Sequence, residues 1–148
     1  MKDQRFEPKA QSGFTLVEIM IVVVVVGILL AVALPSFMDS IRKGRRSEAF
    51  AAMAALQQAQ ERFRSTNTTY SAALPGGISA LSSPAGHYAI SVVSATATGY
   101  EILADGTGSG QANDANCARL GIRVVGGSIQ YASGASLAYA DTNPCWSR

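Results

Sequence analysis

Three hydropathy patterns follow one another along the chain. From Ile19 to Leu34, sixteen successive residues carry no polar side chain, and Glu18 is the one charge in the apolar run from Phe14 to Leu34. A helix rises about 1.5 Å per residue, so this run is long enough to cross the ~30 Å hydrocarbon core of a bilayer. Ala49, Met53, Leu56, Gln60 and Phe63 then step by four, three, four and three, which is one face of an amphipathic helix. Glu61, Arg62 and Arg64 fall on its solvated side. From residue 87 the period drops to two. Tyr88, Ile90 and Val92 alternate with smaller or polar residues, as do Tyr100 and Ile102, and then Leu120, Ile122 and Val124. Gly126-Gly127 reads as a two-residue hairpin turn into Ile129 and Tyr131.

These patterns predict an α+β protein. One long N-terminal helix over 14–65, with a transmembrane part at 14–38 and an amphipathic part after it, packs on a small antiparallel sheet of about four strands. Pro35 removes one backbone donor and is expected to kink the helix. Val22–Val26 and Gly27 form helix poorly in water, but lipid enforces it because an unsatisfied backbone group costs too much there. Residues 27–35 are therefore the stretch expected to loosen once the helix leaves a bilayer. Ser65-Thr66-Asn67-Thr68-Thr69 ends the helix, and Leu74-Pro75-Gly76-Gly77 and Ser82-Ser83-Pro84 mark loops. The head, 66–148, is small enough to need a staple or a partner element.

Composition adds modest constraints. The 148 residues are 48% hydrophobic with a net charge of +2. Beyond Ala49 the charges balance, and no basic patch is large enough to name nucleic acid as a partner. The cations that do cluster are Arg42, Lys43, Arg45 and Arg46, just past the apolar run. Cys117 and Cys145 are the two cysteines. In a chain with a membrane signal such a pair suggests a disulfide formed in an oxidising compartment, contributing about 3.5 kcal/mol by loop-closure entropy. Two buried thiols are the alternative.

No catalytic constellation emerges, and no enzyme activity, cofactor or metal is expected. His87 is the single histidine and opens a strand. Asp105-Gly-Thr-Gly-Ser-Gly lacks the following helix that a phosphate loop requires. The same stretch lacks the closing glutamate of a calcium loop, since Asn116 stands at the twelfth place. Asn67-Thr68-Thr69 fits a glycosylation sequon that occurs often by chance.

The N-terminus reverses the order of a secretory signal. Met1–Gly13 is polar and charged, and the small residue suited to cleavage, Gly13, precedes the apolar run instead of following it. Gly13-Phe14-Thr15-Leu16-Val17-Glu18, the apolar run, Gly27 and Pro35 together resemble the prepilin signature of type IV pilins and pseudopilins. The Cys117–Cys145 loop near the C-terminus and Cys145-Trp146 look most like the small minor pilins of the PilE kind. The resemblance implies that residues 1–13 are a cytoplasmic leader, removed after Gly13 by a prepilin peptidase, and that Phe14 is then N-methylated. Glu18 becomes the assembly residue, its carboxylate pairing in an apolar bundle with a Phe14 amine of the same or a neighbouring chain.

The expected function is that of a structural pilus subunit, either a minor or a major pilin, for adhesion, motility or DNA uptake. The alternatives are a pseudopilin of a type II secretion system, or a DNA- or surface-binding tip module whose cations would be Arg119, Arg123 and Arg148. Partners would be other pilin subunits, the peptidase, the inner membrane and the pilus assembly machinery, with nucleic acid supported only by those three arginines. The subunit would sit in the inner membrane with its N-terminus cytoplasmic, and in an extracellular pilus after assembly. The count of Lys and Arg flanking the span favours the opposite orientation. The disulfide and the cytoplasmic peptidase outweigh it.

Overall fold

A computed structural model describes residues 13–73, 75, 81–114 and 116–146. The leader residues 1–12, Gly76-Gly77 of the predicted loop and Arg148 lie outside the described residues. The fold consists of one helix, α1 (Leu16–Arg64), and five strands: β1 (Leu81–Ser82), β2 (Ala89–Ala95), β3 (Gly99–Asp105), β4 (Arg119–Val125) and β5 (Ser128–Ser133). The chain divides into two compact units, one ending at Asp39 and the other beginning at Ser40.

In the first unit, α1 opens on a cap that the hydropathy pattern did not reveal. The Thr15 hydroxyl accepts the Glu18 backbone N–H at 3.2 Å, satisfying one of the donors a helix start leaves free. Thr15-Leu-Val-Glu18 has the spacing of a capping box, and Glu18 places a carboxylate in the first turn, where the helix dipole favours it. The helix continues unbroken through Pro35. The large apolar side chains from Phe14 to Met38 are exposed all round the helix, Phe14 at 80% and Val32 at 76%.

The second unit carries the core. Ala49, Ala52, Met53, Leu56, Ala59 and Gln60 form the buried face of α1, which matches the predicted stripe except that Phe63 is only half-buried. Gln60 is fully buried and polar, and its amide explains why. Its Nε2 donates to the Ser71 carbonyl at 2.8 Å and its Oε1 accepts the Ser71 N–H at 2.9 Å, tying down the chain that leaves the helix. Tyr88, Ile90, Tyr100, Ile102, Leu120, Ile122 and Val124 supply the sheet side of the same core.

The sheet is antiparallel throughout, in the order β1-β2-β3-β4-β5. Its four longer strands are those the alternation predicts, and the two-residue β1 adds an edge. Gly126 and Gly127 make the β4–β5 turn with φ of 57° and 84°, which side chains with a Cβ adopt only at a cost. Ile129 sits opposite Val124 in register on the edge strand β5 and stays 44% exposed, with no strand beyond it among the described residues.

The opposite face of the sheet is partly closed by the C-terminal segment. Tyr139 lies over Gly121, and its hydroxyl donates to Glu101 at 2.6 Å. Tyr131 and Ala140 exchange backbone hydrogen bonds, covering part of the β5 edge. On the helix side of the sheet, Trp146, in the 3₁₀ turn Pro144–Trp146, stacks on Phe50 with ring centroids 4.5 Å apart and donates its indole N–H to the Ala132 carbonyl at 3.0 Å.

Candidate functional site

The residues expected to carry function fall in two places. The first is the start of α1. Gly13 and Phe14 are exposed and precede the helix, and Glu18 is exposed at its third residue. Gly27 faces open space, since nothing lies within 4 Å of where its Cβ would be. A helix that is apolar all round cannot be satisfied by water. Lipid or other apolar helices are the surroundings that suit it, and Glu18 is the one charge they would have to accommodate.

The second place is the C-terminal end of the head. Cys117 and Cys145 are joined in a disulfide, with Cα atoms 5.7 Å apart. It ties the chain two residues before β4 to the 3₁₀ turn that holds Trp146 against Phe50 and Tyr131. Arg46 of α1 reaches the same corner, with its Nε 3.1 Å from Asp114 and its Nη1 donating to Cys117 Sγ at 3.2 Å. An open groove of about 1,090 Å³ runs beside it, between α1 and β4, β5 and the C-terminal turn, with Phe50, Tyr131 and Trp146 on its walls.

Arg119 and Arg123 are not the bare cations their sequence positions suggested. Arg123 donates to Glu101 at 3.0 Å and lies 3.9 Å over the Tyr139 ring, and Arg119 lies 3.5 Å from Asp105. The register pairs Glu101 with Arg123 and Asp105 with Arg119 directly across β3 and β4. A signal for this was present: Glu101 and Asp105 are four apart, as are Arg119 and Arg123, and antiparallel pairing reverses one set onto the other. Asp105 is held by its neighbours as well. Burial alone would raise its carboxyl, but hydrogen bonds from the Thr107 hydroxyl and N–H, with Arg119, carry it below its ordinary value.

Three tyrosines of the head, Tyr88, Tyr100 and Tyr139, titrate late. Burial, then the nearby Asp114 charge, pushes Tyr88 up to about 12, and burial followed by Glu61 does the same for Tyr100. Burial and the bond to Glu101 raise Tyr139 too. Glu61, expected on the solvated side, is exposed but also accepts from the hydroxyls of Tyr70 at 3.3 Å and Tyr100 at 3.4 Å.

An apolar helix behind a glycine–phenylalanine junction, a small antiparallel sheet and a C-terminal disulfide define a type IV pilin subunit, a structural protein and not an enzyme. Comparison with known proteins gives the family. Residues 35–121, more than half the chain, match the family described as type IV minor pilin ComP, DNA uptake sequence receptor, and the chain belongs to it. Residues 8–34 match the prokaryotic N-terminal methylation motif. The type IV major pilin protein PilA of Myxococcus xanthus is 44% identical over 71 residues, covering 48% of this chain and 32% of that protein. A fimbrial protein of Moraxella nonliquefaciens is 56% identical over 41 residues, 28% of this chain and 27% of its own. The type II secretion system core protein G of Aeromonas hydrophila is 34% identical over 64 residues, 43% of this chain and 45% of its own. The chain thus spans less than half the length of each of these relatives. No solved structure matches. Membership in the pilin family implies assembly with other pilins.

Proposed function

We propose that this chain is a minor pilin that serves DNA uptake. The leader 1–13 is cut after Gly13 by a prepilin peptidase, the new amine of Phe14 is methylated, and the helix from Phe14 to Met38 holds the subunit in the inner membrane with its N-terminus cytoplasmic. Assembly then moves that helix into the pilus, where Glu18 pairs with a Phe14 amine, and the stretch between Gly27 and Pro35 loosens. The observation that carries the DNA reading is the match over residues 35–121, because the described family is a DNA uptake sequence receptor. The ion pairs of Arg119 and Arg123 argue that these two arginines serve the head's own sheet rather than DNA.

The decisive experiment removes the gene and scores three phenotypes. Loss of DNA uptake with surface pili intact supports the proposal. Loss of pili altogether assigns the chain to the filament body as a major pilin, the reading that the 44% identity with the Myxococcus pilin favours. Loss of protein secretion with pili and uptake intact makes it a pseudopilin, as the similarity to the Aeromonas core protein G would have it.

A further inference from the structure

The two sulfurs of the head's disulfide have unlike surroundings. Arg46, from α1, turns its guanidinium to Cys117: Nη1 donates to Cys117 Sγ at 3.2 Å, while Nε lies 3.1 Å from Asp114 Oδ2. The Arg46 and Asp114 side chains are 16% and 12% exposed, so water screens them little. Cys145 Sγ faces a carbonyl instead, 3.3 Å from the Asn116 oxygen. Cys145 also lines the open groove beside the C-terminal turn, and Cys117 is not among its described walls.

These differences bear on how the bond breaks. Thiol exchange leaves one sulfur as a thiolate and puts the other into a new disulfide. The sulfur that leaves is the one whose thiolate is better stabilised, and the sulfur attacked is the one that can be reached. A guanidinium stays charged at any working pH and favours the thiolate of a cysteine beside it, so Cys117 is the better leaving group. Asp114 opposes this in part, because its carboxylate shares the guanidinium. It also fixes Arg46 through Nε and leaves Nη1 aimed at the sulfur. Tyr88 donates its hydroxyl to the Cys117 carbonyl, and burial holds its proton up to about 12, so it adds no charge. A carbonyl beside Cys145 accepts from an S–H and favours the protonated thiol, a poor leaving group. On the groove side Lys43 and Asp141 bring one charge of each sign.

We propose that thiol–disulfide exchange at this bond runs through Cys145, with Arg46 as the positioning residue that receives the charge on Cys117. The partner is a thiol, carried by a small molecule or by a dithiol oxidoreductase. Its thiolate enters by the groove and attacks Cys145 Sγ. The new sulfur–sulfur bond forms as the Cys117–Cys145 bond breaks, and the electron pair of the broken bond leaves on Cys117 as a thiolate. The step exchanges one disulfide for another, with no net oxidation. Closing the bond is the same path reversed: the Cys117 thiolate attacks Cys145 Sγ of the mixed disulfide and expels the partner's thiolate.

The test uses the full oxidised chain in detergent micelles. Reduced glutathione is added under native conditions, samples are quenched in acid at intervals, free thiols are alkylated and the peptides are mapped by mass spectrometry. Trypsin cuts after Arg119 and Arg123 put the two cysteines on separate peptides. Early in the reaction glutathione should sit on Cys145 and the alkyl group on Cys117. Arg46→Gln should slow loss of the disulfide about fivefold, and Arg46→Lys, which keeps a cation, should slow it less. The sign separates this role from a structural one. If Arg46 only braced the fold, its loss would loosen the head and speed reduction. Circular dichroism checks that each variant is folded, and the wild-type mapping decides the route even where Arg46→Gln does not fold. In a parallel arm the thiol is reduced thioredoxin. Attack at Cys145 by either reagent supports the proposal, and the faster per thiol assigns the site to a small or a protein partner. Glutathione on Cys117, or spread evenly over both cysteines, would overturn it. So would reduction of a folded Arg46→Gln variant at or above the wild-type rate, or a wild-type disulfide that resists both thiols until denaturant is added.

Discussion

At Gly121 the absence of one methyl group decides how the outer face of the sheet closes. A Cβ there would lie 2.6 Å from the Tyr139 hydroxyl oxygen, so the ring rests where only glycine allows it. Gly121→Ala should push Tyr139 away from Glu101 and Arg123 and destabilise the head by about 1–3 kcal/mol in denaturant unfolding. Combined with Tyr139→Ala, the substitution should cost little more than Tyr139→Ala alone, because the clash has then gone. The buried phenols give a pH signature at the same scale. Tyr88 and Tyr100 are raised from 10.0 to about 12 in the folded protein. A raised pKa means the folded state holds its proton longer. The associated stability is whole below pH 10 and is lost as pH climbs toward 12, while the unfolded chain ionises first. Denaturant midpoints measured across that range should fall with a slope of more than one proton per molecule, and the Tyr88→Phe variant should fall less steeply. Asp105 works in the other direction. Its carboxyl is lowered from 3.8, so what it contributes is present above that value and fades as acid protonates it.

Among the elements, the C-terminal turn depends on its covalent tie. The disulfide between Cys117 and Cys145 holds a segment whose other links are single hydrogen bonds and ring contacts. Cys145→Ser should cost about 2–5 kcal/mol of head stability and shift the fluorescence of Trp146, the one tryptophan, toward that of an exposed indole. The helix offers a test of a different kind. Nothing lies within 4 Å of a Cβ added at Gly27, so Gly27→Ala should be tolerated by the single subunit and firm up its helix by about 1 kcal/mol. If the stretch from Gly27 to Pro35 must loosen on assembly, the same substitution should lower the amount of subunit in sheared filaments without lowering the amount in the membrane. Equal incorporation would remove Gly27 from the assembly argument.

For the whole molecule the question is how a membrane-held helix becomes part of a fibre. Glu18→Ala takes a carboxylate out of the apolar run, which makes storage in lipid easier, and under the proposed pairing leaves a Phe14 amine without its partner in the bundle. Cleaved subunit should therefore accumulate in membranes while its share of surface filaments drops. Wild-type incorporation would dismiss Glu18 as the assembly residue, and loss of cleavage would move its role to the peptidase. Intact-mass analysis of the same fractions should find a mature chain beginning at a methylated Phe14. A start beyond Leu34 would mean that the apolar helix is discarded.

Periodicity along the chain was enough to determine the apolar helix, the buried stripe from Ala49 to Gln60, the alternating strands and the Gly126-Gly127 turn. Each of these depends on residues within a few positions of one another, where the backbone alone sets which side chains share a face. The Gly13 junction and Glu18 stand out in the same way, as departures from a local pattern. Tertiary structure decided what distant residues do to each other. Strand register set Arg119 and Arg123 against carboxylates, and an edge position left Ile129 in solvent. The fold-back of the last residues seated Tyr139 on Gly121 and Trp146 on Phe50. Those outcomes depend on pairings between segments far apart in the chain, and no spacing within one segment encodes which partner will lie across from it.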